Sequence, residues 1–221
     1  MRADARKNYD HLLAAAREIV ARDGAGASMR DVARQAGVGF GTMYRHFPTR
    51  EALLEALLRA GFDAMTARAF ELEASSTPDE ALVAWLHETV AAAHAYSGVT
   101  ASMMAAIEDP DSALHDSCVA MRSAGARLLA RAQAEDMART DIDGADLFAL
   151  IGALAWLADQ SALAPRADHL FAVVADAILP ARAELSGANT GLSEHHVGQK
   201  RGAMPKTCGA PRVPRSRDSP P

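Results

Sequence analysis

Cysteine is nearly missing from this chain. The two present, Cys118 and Cys208, have neither disulfide nor metal-knuckle spacing. Aromatic side chains make up only 5% of 221 residues. No apolar run reaches 18 residues, so no transmembrane helix is expected. The opening residues, MRADARKNYD, hold no apolar stretch of signal-peptide type, so a cytoplasmic location and no membrane partner are expected. Strand-favouring β-branched runs and internal repeats are lacking too. What remains is 49% hydrophobic and rich in alanine, which favours helices around a sizeable core.

Signatures of catalysis are equally thin. Gly37-Val38-Gly39-Phe40-Gly41 resembles a phosphate loop, but no strand precedes it and Thr42 takes the final glycine position. His87 and His94 are seven residues apart, not the i, i+4 pair of a zinc helix, and a third ligand is not evident. Asp141-Ile142-Asp143-Gly144 opens like a calcium loop, then fails with its glycine misplaced and Gly152 at position twelve. No nucleophile signature surrounds a serine. Neither an enzyme, a cofactor nor a metal is expected.

The net charge of −5 conceals three unlike segments. Residues 1–60 carry +3, from ten Lys/Arg against seven Asp/Glu. Residues 61–185 carry −12, from seven against nineteen. Residues 186–221 carry +4, from six against two. A polyanion would therefore meet the first segment and be repelled by the second. The last segment, rich in Gly, Pro, Ser, Lys and Arg, lacks the apolar surface to offset its chain entropy and is expected to be a disordered basic tail.

Residues 28–58 are the most informative. Ser28 stands at an N-cap with Asp31 three residues on, in capping-box order. Val32, Ala33 and Ala36 give an apolar face, and Gly37 suits a sharp left-handed turn. A second short helix carries Met43 and Phe47 inward, leaving Phe40, Thr42, Tyr44, Arg45 and His46 on its other faces. Pro48 stops it, and Thr49 caps the next helix with Glu51 in its first turn. Two short helices across a glycine turn, showing hydroxyl, aromatic and cationic groups, read as a helix-turn-helix.

This stretch resembles the N-terminal domain of the TetR family of bacterial regulators. The matching runs are Met29-Arg30-Asp31-Val32-Ala33, Ala36-Gly37-Val38, Gly41-Thr42-Met43-Tyr44-Arg45-His46-Phe47 and Thr49-Arg50-Glu51-Ala52-Leu53. With Leu13-Ala14-Ala15-Ala16 and Gly24 the likeness covers roughly residues 6–60. Gly39 departs from it, standing where the family usually has a serine or threonine cap; glycine is an acceptable substitute. The resemblance implies an all-α protein with a three-helix helix-turn-helix domain (1–60) and a helical ligand-binding and dimerisation domain (61–185). It also implies a DNA-binding set of Ser28, Arg30, Phe40, Gly41, Thr42, Tyr44, Arg45, His46 and Arg50. In it Arg30 reaches a base edge, Thr42, Tyr44 and His46 bond phosphate, and Arg50 holds phosphate at a helix start. Phe40 either meets a thymine methyl or covers the domain core.

Further helices are expected over about 6–22, 79–96, 99–107, 113–137, 146–163 and 167–185, with the one begun at Thr49 running towards Leu72. Ala81-Leu82-Val83-Ala84-Trp85-Leu86 and Ala155-Trp156-Leu157-Ala158-Asp159-Gln160 bear a looser likeness to actinobacterial-type members of the family. Trp85, His94, Met103, Met104, His115, Trp156 and Gln160 mix apolar bulk with polar anchors and are the candidate ligand contacts; ordinary core packing is the competing account of each. Helices 146–163 and 167–185 carry more apolar residues than one buried face needs, which suits a homodimer through about 146–185. The expected function is a repressor released from a palindromic operator by a small, largely apolar ligand. An all-helical enzyme, a metal-binding bundle and a ligand-independent architectural protein are the alternatives.

Overall fold

A computed structural model describes residues 2–180, and among them every regular element is helical. The expected basic tail, 186–221, lies outside the described residues.

The first three helices form from strong local signals. α1, Arg2–Asp23, buries Leu12, Ala16, Ile19 and Val20 along one stripe and ends at Gly24, whose φ of +61° is left-handed. It starts four residues before the expected Arg6. α2 is Met29–Gln35. Ser28 Oγ accepts from the Asp31 N–H at 3.4 Å, but Asp31 turns its carboxylate to Arg34 at 2.6 Å, so only half of the capping box forms. Gly37, at φ +67°, closes α2. The N–H of Val38 donates to Ala33 and that of Gly37 to Arg34, the paired bonds of a Schellman turn. α3, Phe40–His46, starts at Gly39 with no side-chain cap.

α4, Arg50–Ser75, is 26 residues long, about 39 Å. Thr49 Oγ1 caps it by accepting from the Ala52 N–H at 3.0 Å. α5, Pro78–Ala95, starts from a capping box of Thr77 and Glu80 with Pro78 in its first turn. The helix expected over 99–107 is two pieces, α6 (Ser97–Ser102) and α7 (Met104–Glu108), broken at Met103. α8 is Ala113–Ala134, three residues short of the expected end, and α9 is Gly144–Asp159. The Asp141–Gly144 segment serves α9 as a cap: Asp143 accepts from the N–H groups of Ala145 and Asp146, and Asp146 accepts from that of Asp143. α9 stops before the expected Leu163. Pro165 has no N–H for the carbonyl four residues back and sits in a single 3-10 turn, Ala164–Arg166. α10 is Ala167–Ile178.

Two apolar cores result. The first joins α1 to α4 through Leu12, Ile19, Val32, Met43, Phe47, Leu53 and Leu57. Val99, Met103 and Leu114, from α6 to the start of α8, are buried in that same core. The second lies among α4, α5, α8, α9 and α10, around Leu82, Trp85, Leu128, Leu147 and Leu179. α4 belongs to both, with Leu58 in the first, Ala69 in the second and Phe62 packed against each. Trp85 is fully buried, and its indole N–H donates to the Met65 carbonyl at 2.9 Å.

Candidate nucleic-acid interface and apolar cavity

α3 buries only Met43 inside its span, and Phe47 directly after it. Its other side is bare. Phe40 and Tyr44, one helical turn apart, are each 43% exposed and touch ring to edge with centroids 4.7 Å apart. The guanidinium of Arg30, from α2, lies 5.7 Å from the centre of the Phe40 ring, a cation–π arrangement. Of the two readings left open for Phe40, covering the core is therefore set aside: a large apolar ring stands in solvent beside a cation.

The remaining DNA candidates are distributed around this pair. Arg45 lies back along its own helix, donating to the Gly41 carbonyl at 3.2 Å and to Thr42 Oγ1 at 3.0 Å. The Thr42 hydroxyl accepts there and keeps its own proton to donate. A Cβ built on Gly41 would meet nothing within 4 Å, so internal packing does not require glycine there. Its bare backbone leaves room for something outside the protein. His46 is half-buried with its ring toward Tyr9 of α1, and Tyr9 also packs on Phe47. Ser28 is exposed, with its hydroxyl occupied at the α2 cap. Arg50 stands in the first turn of α4, where unpaired N–H groups give the helix its positive end, and its Nε is buried without a hydrogen-bond partner among the described residues. Tyr44, Thr42 and Arg50 supply the hydroxyl and cationic donors that a phosphate backbone accepts.

The second feature is a cavity of about 220 Å³ beneath the joint of the two cores. Phe62 and Met65 of α4, Thr89 of α5, Tyr96 between α5 and α6, Thr100 of α6, Met104 and Ile107 of α7, Cys118 and Met121 of α8, and Phe148 and Ile151 of α9 line it. Among the described residues no charged side chain borders it. The Thr89 hydroxyl already donates to the Trp85 carbonyl at 2.7 Å. Burial pushes the Cys118 thiol above its ordinary pKa, with Arg122 pulling weakly the other way.

Of the seven candidate ligand contacts, only Met104 borders this cavity. Trp85 is core, and Met103 is buried in the first core. His94 Nδ1 lies 2.9 Å from Asp159 Oδ1, pairing α5 with α9. His115 Nδ1 meets the Ile107 carbonyl at 2.8 Å and tethers α7 to α8. Gln160 donates to the Trp156 carbonyl at the end of α9. Trp156 itself is 60% exposed. The wall residues Phe62, Met65, Cys118 and Met121 were not among the candidates. Their one signal in the sequence is methionine, whose flexible thioether suits an adaptable wall.

Comparison with known proteins agrees with this geometry. Residues 12–57 match the sequence profile of bacterial regulatory proteins of the tetR family, and residues 77–180 that of the C-terminal domain of SbtR-like transcriptional regulators. Among solved structures the chain is similar to a TetR transcriptional regulator from Streptomyces coelicolor. They share 34% identity over 77% of this chain and 97% of the other, with a TM-score of 0.65. A TetR regulator from Mycobacterium vanbaalenii shares 30% identity over 80% and 98% of the two chains, with a TM-score of 0.62. FadR of Bacillus subtilis, solved with stearoyl-CoA, shares the fold at 17% identity over 77% and 99% of the chains, with a TM-score of 0.51. No curated protein sequence matches.

Proposed function

Because the chain belongs to the TetR family of DNA-binding transcriptional regulators, we propose that it is a homodimeric repressor of a palindromic operator, released by a small, largely apolar ligand. In this reading residues 1–60 read DNA in the cytoplasm, 61–185 bind effector and partner, and 186–221 form a basic tail. Regulators of this family are not enzymes.

The observation that carries the ligand is the placement of the cavity. Tyr96, Thr100, Met104 and Ile107 face it, while Val99 and Met103 of the same short segment are buried in the core of the reading head. A molecule that displaces α6 and α7 therefore acts on the reader directly. It can do so only by preferring a conformation in which the two heads of the dimer are wrongly spaced. A tenfold to hundredfold loss of DNA affinity requires about 1.4 to 2.7 kcal/mol of that preference. A dry cavity of roughly 150 Å³ holds benzene, so about 220 Å³ suits a somewhat larger, uncharged molecule. The stearoyl-CoA bound by Bacillus subtilis FadR carries charges for which this wall offers no cation.

The test begins with genomic DNA fragments captured on the pure protein and sequenced, which gives the operator. Neutral apolar compounds are then screened for a rise in melting temperature, and each hit is added to the operator complex. Hits that release DNA support the reading. Hits that stabilise the protein and never release DNA remove the switch, and no hits favour a ligand-independent architectural role.

A further inference from the structure

We infer that the effector carries a single carboxylate, held by the guanidinium of Arg122 at the rim of the cavity while its apolar body fills the interior. This rests on the ligand-release reading above and refines it. The uncharged molecule that the wall asks for is the body of the ligand, and one charged head stays outside the wall.

Arg122 is exposed and is not a wall residue, yet it stands beside two that are. Cys118, Met121 and Arg122 lie at positions i, i+3 and i+4 of α8 and so share one side of that helix. The guanidinium carbon of Arg122 is 5.3 Å from the centre of the Phe148 ring, which comes from α9 and lines the cavity. At Cys118 burial raises the thiol pKa, and the charge that pulls against it is that of Arg122. Two wall residues on two helices thus place the cation at the α8–α9 edge of the cavity. That edge reaches solvent. Cys118 and Phe148 are half-buried, and Gly152, one turn on from Phe148, is exposed, whereas Met121 and Ile151 are buried.

Arg122 is also free to take an anion. Among the described residues no carboxylate or carbonyl accepts from it. The other two arginines of α8 are engaged: Arg127 donates to Glu73 at 3.3 Å, and Arg131 to the carbonyls of Glu73 and Ser76. The fork of N–H groups on a guanidinium fits the two oxygens of a carboxylate, and such charge-assisted bonds are about twice as strong as neutral ones. Charge also limits the head to one carboxylate. Residues 61–185 carry −12, so any further negative group meets repulsion with no second free cation on α8 to offset it. Size limits the body. A cavity of about 220 Å³ is about one and a half times the roughly 150 Å³ that holds benzene, which leaves room for about nine carbon atoms. A medium-length monocarboxylic acid has this build.

The experiment uses the full-length protein and two probes of equal length, octanoate and octanamide, whose heads differ in charge and hardly in shape. Binding is followed by isothermal titration calorimetry at neutral pH. Wild-type protein should bind octanoate about three- to tenfold more tightly than octanamide. The preference should shrink as salt is raised. Arg122→Gln should bind the two alike, with its octanamide affinity and its mass in solution unchanged, and Arg122→Lys should recover part of the preference. Because both probes are compared on wild-type protein, the first two results stand even if a variant folds poorly. Equal or tighter binding of octanamide by wild type overturns the proposal and leaves the ligand-release reading intact, and so does an Arg122→Gln variant that keeps the preference. A changed mass in that variant assigns Arg122 to a subunit interface and equally overturns it. Binding of neither probe by wild type, or of both by Cys118→Phe as by wild type, removes the cavity reading itself and this inference with it.

Discussion

Gly125 faces the six-membered ring of Trp85 with no space between them. A Cβ there would lie 2.4 Å from the indole Cη2, and the ring cannot retreat, because it is fully buried and hydrogen-bonded to Met65. Gly125→Ala should therefore cost roughly 1 to 3 kcal/mol as an overpacked core, read by urea unfolding, while DNA affinity in the folded protein stays unchanged. A variant as stable as wild type would mean that Trp85 is not fixed. Cys118 offers a second residue-scale test. Burial raises its pKa, so thiolate, the reactive form, becomes abundant only above the ordinary thiol range. In a Cys208→Ser background its alkylation by iodoacetamide should be slow at pH 8 and accelerate as pH rises further. A compound filling the cavity should slow it again. Reaction at the rate of free cysteine at pH 8 would show an open wall.

At the scale of elements, α9 is the informative helix. Its inner face buries Leu147, Ile151, Leu154 and Ala155, while Ala145, Ala149, Gly152, Ala153 and Trp156 form an exposed stripe. Val173 of α10 is 51% exposed. Small residues on one stripe let a second helix approach closely, and a two-fold interface uses the same surface from both chains. Ala153→Arg should convert the homodimer to a folded monomer with weakened operator binding, measured by light scattering at micromolar concentration beside a helical circular-dichroism signal. An unchanged dimer mass would move the interface elsewhere. Leu154→Arg is the wrong probe, since Leu154 is buried within its own chain and its loss attacks the fold first.

For the whole molecule the charge division sets how DNA is met. The basic helix-turn-helix end should lead and the acidic body should stay away. Six to ten phosphate contacts in a dimer should lower affinity by roughly a thousandfold or more between 50 and 200 mM salt. A flat salt response would contradict phosphate binding at Tyr44 and Arg50. Communication between the ends should depend on the cavity remaining empty until a ligand arrives. Cys118→Phe places a ring inside about 220 Å³. It should abolish both ligand-induced thermal stabilisation and operator release, and specific DNA binding that kept its ligand response would place the effector outside this cavity.

Much of this protein follows from local rules that the sequence alone obeys. Ser28, Gly37, Thr49, Thr77 and Asp143 mark helix ends because caps and left-handed turns are made within a few residues. The apolar stripes that call for helices, and the family likeness of residues 28–58, are equally local. Where Met103 breaks α6 from α7 depends on docking into the first core, so periodicity alone joins them. The cavity is decided later still. Its wall is assembled from α4, α5, α6, α7, α8 and α9, and no spacing along the chain encodes which faces of those helices leave a gap. Residue type favoured Trp85 and Trp156, but packing sent one to the core and the other to the surface, and gave the wall to Met65, Cys118, Met121 and Phe148. The exposure of Phe40 has the same origin. A phenylalanine after Gly39 suits a core as well as a groove, and only the closure of the first core over Met43 and Phe47, without it, left its ring beside Arg30 in solvent.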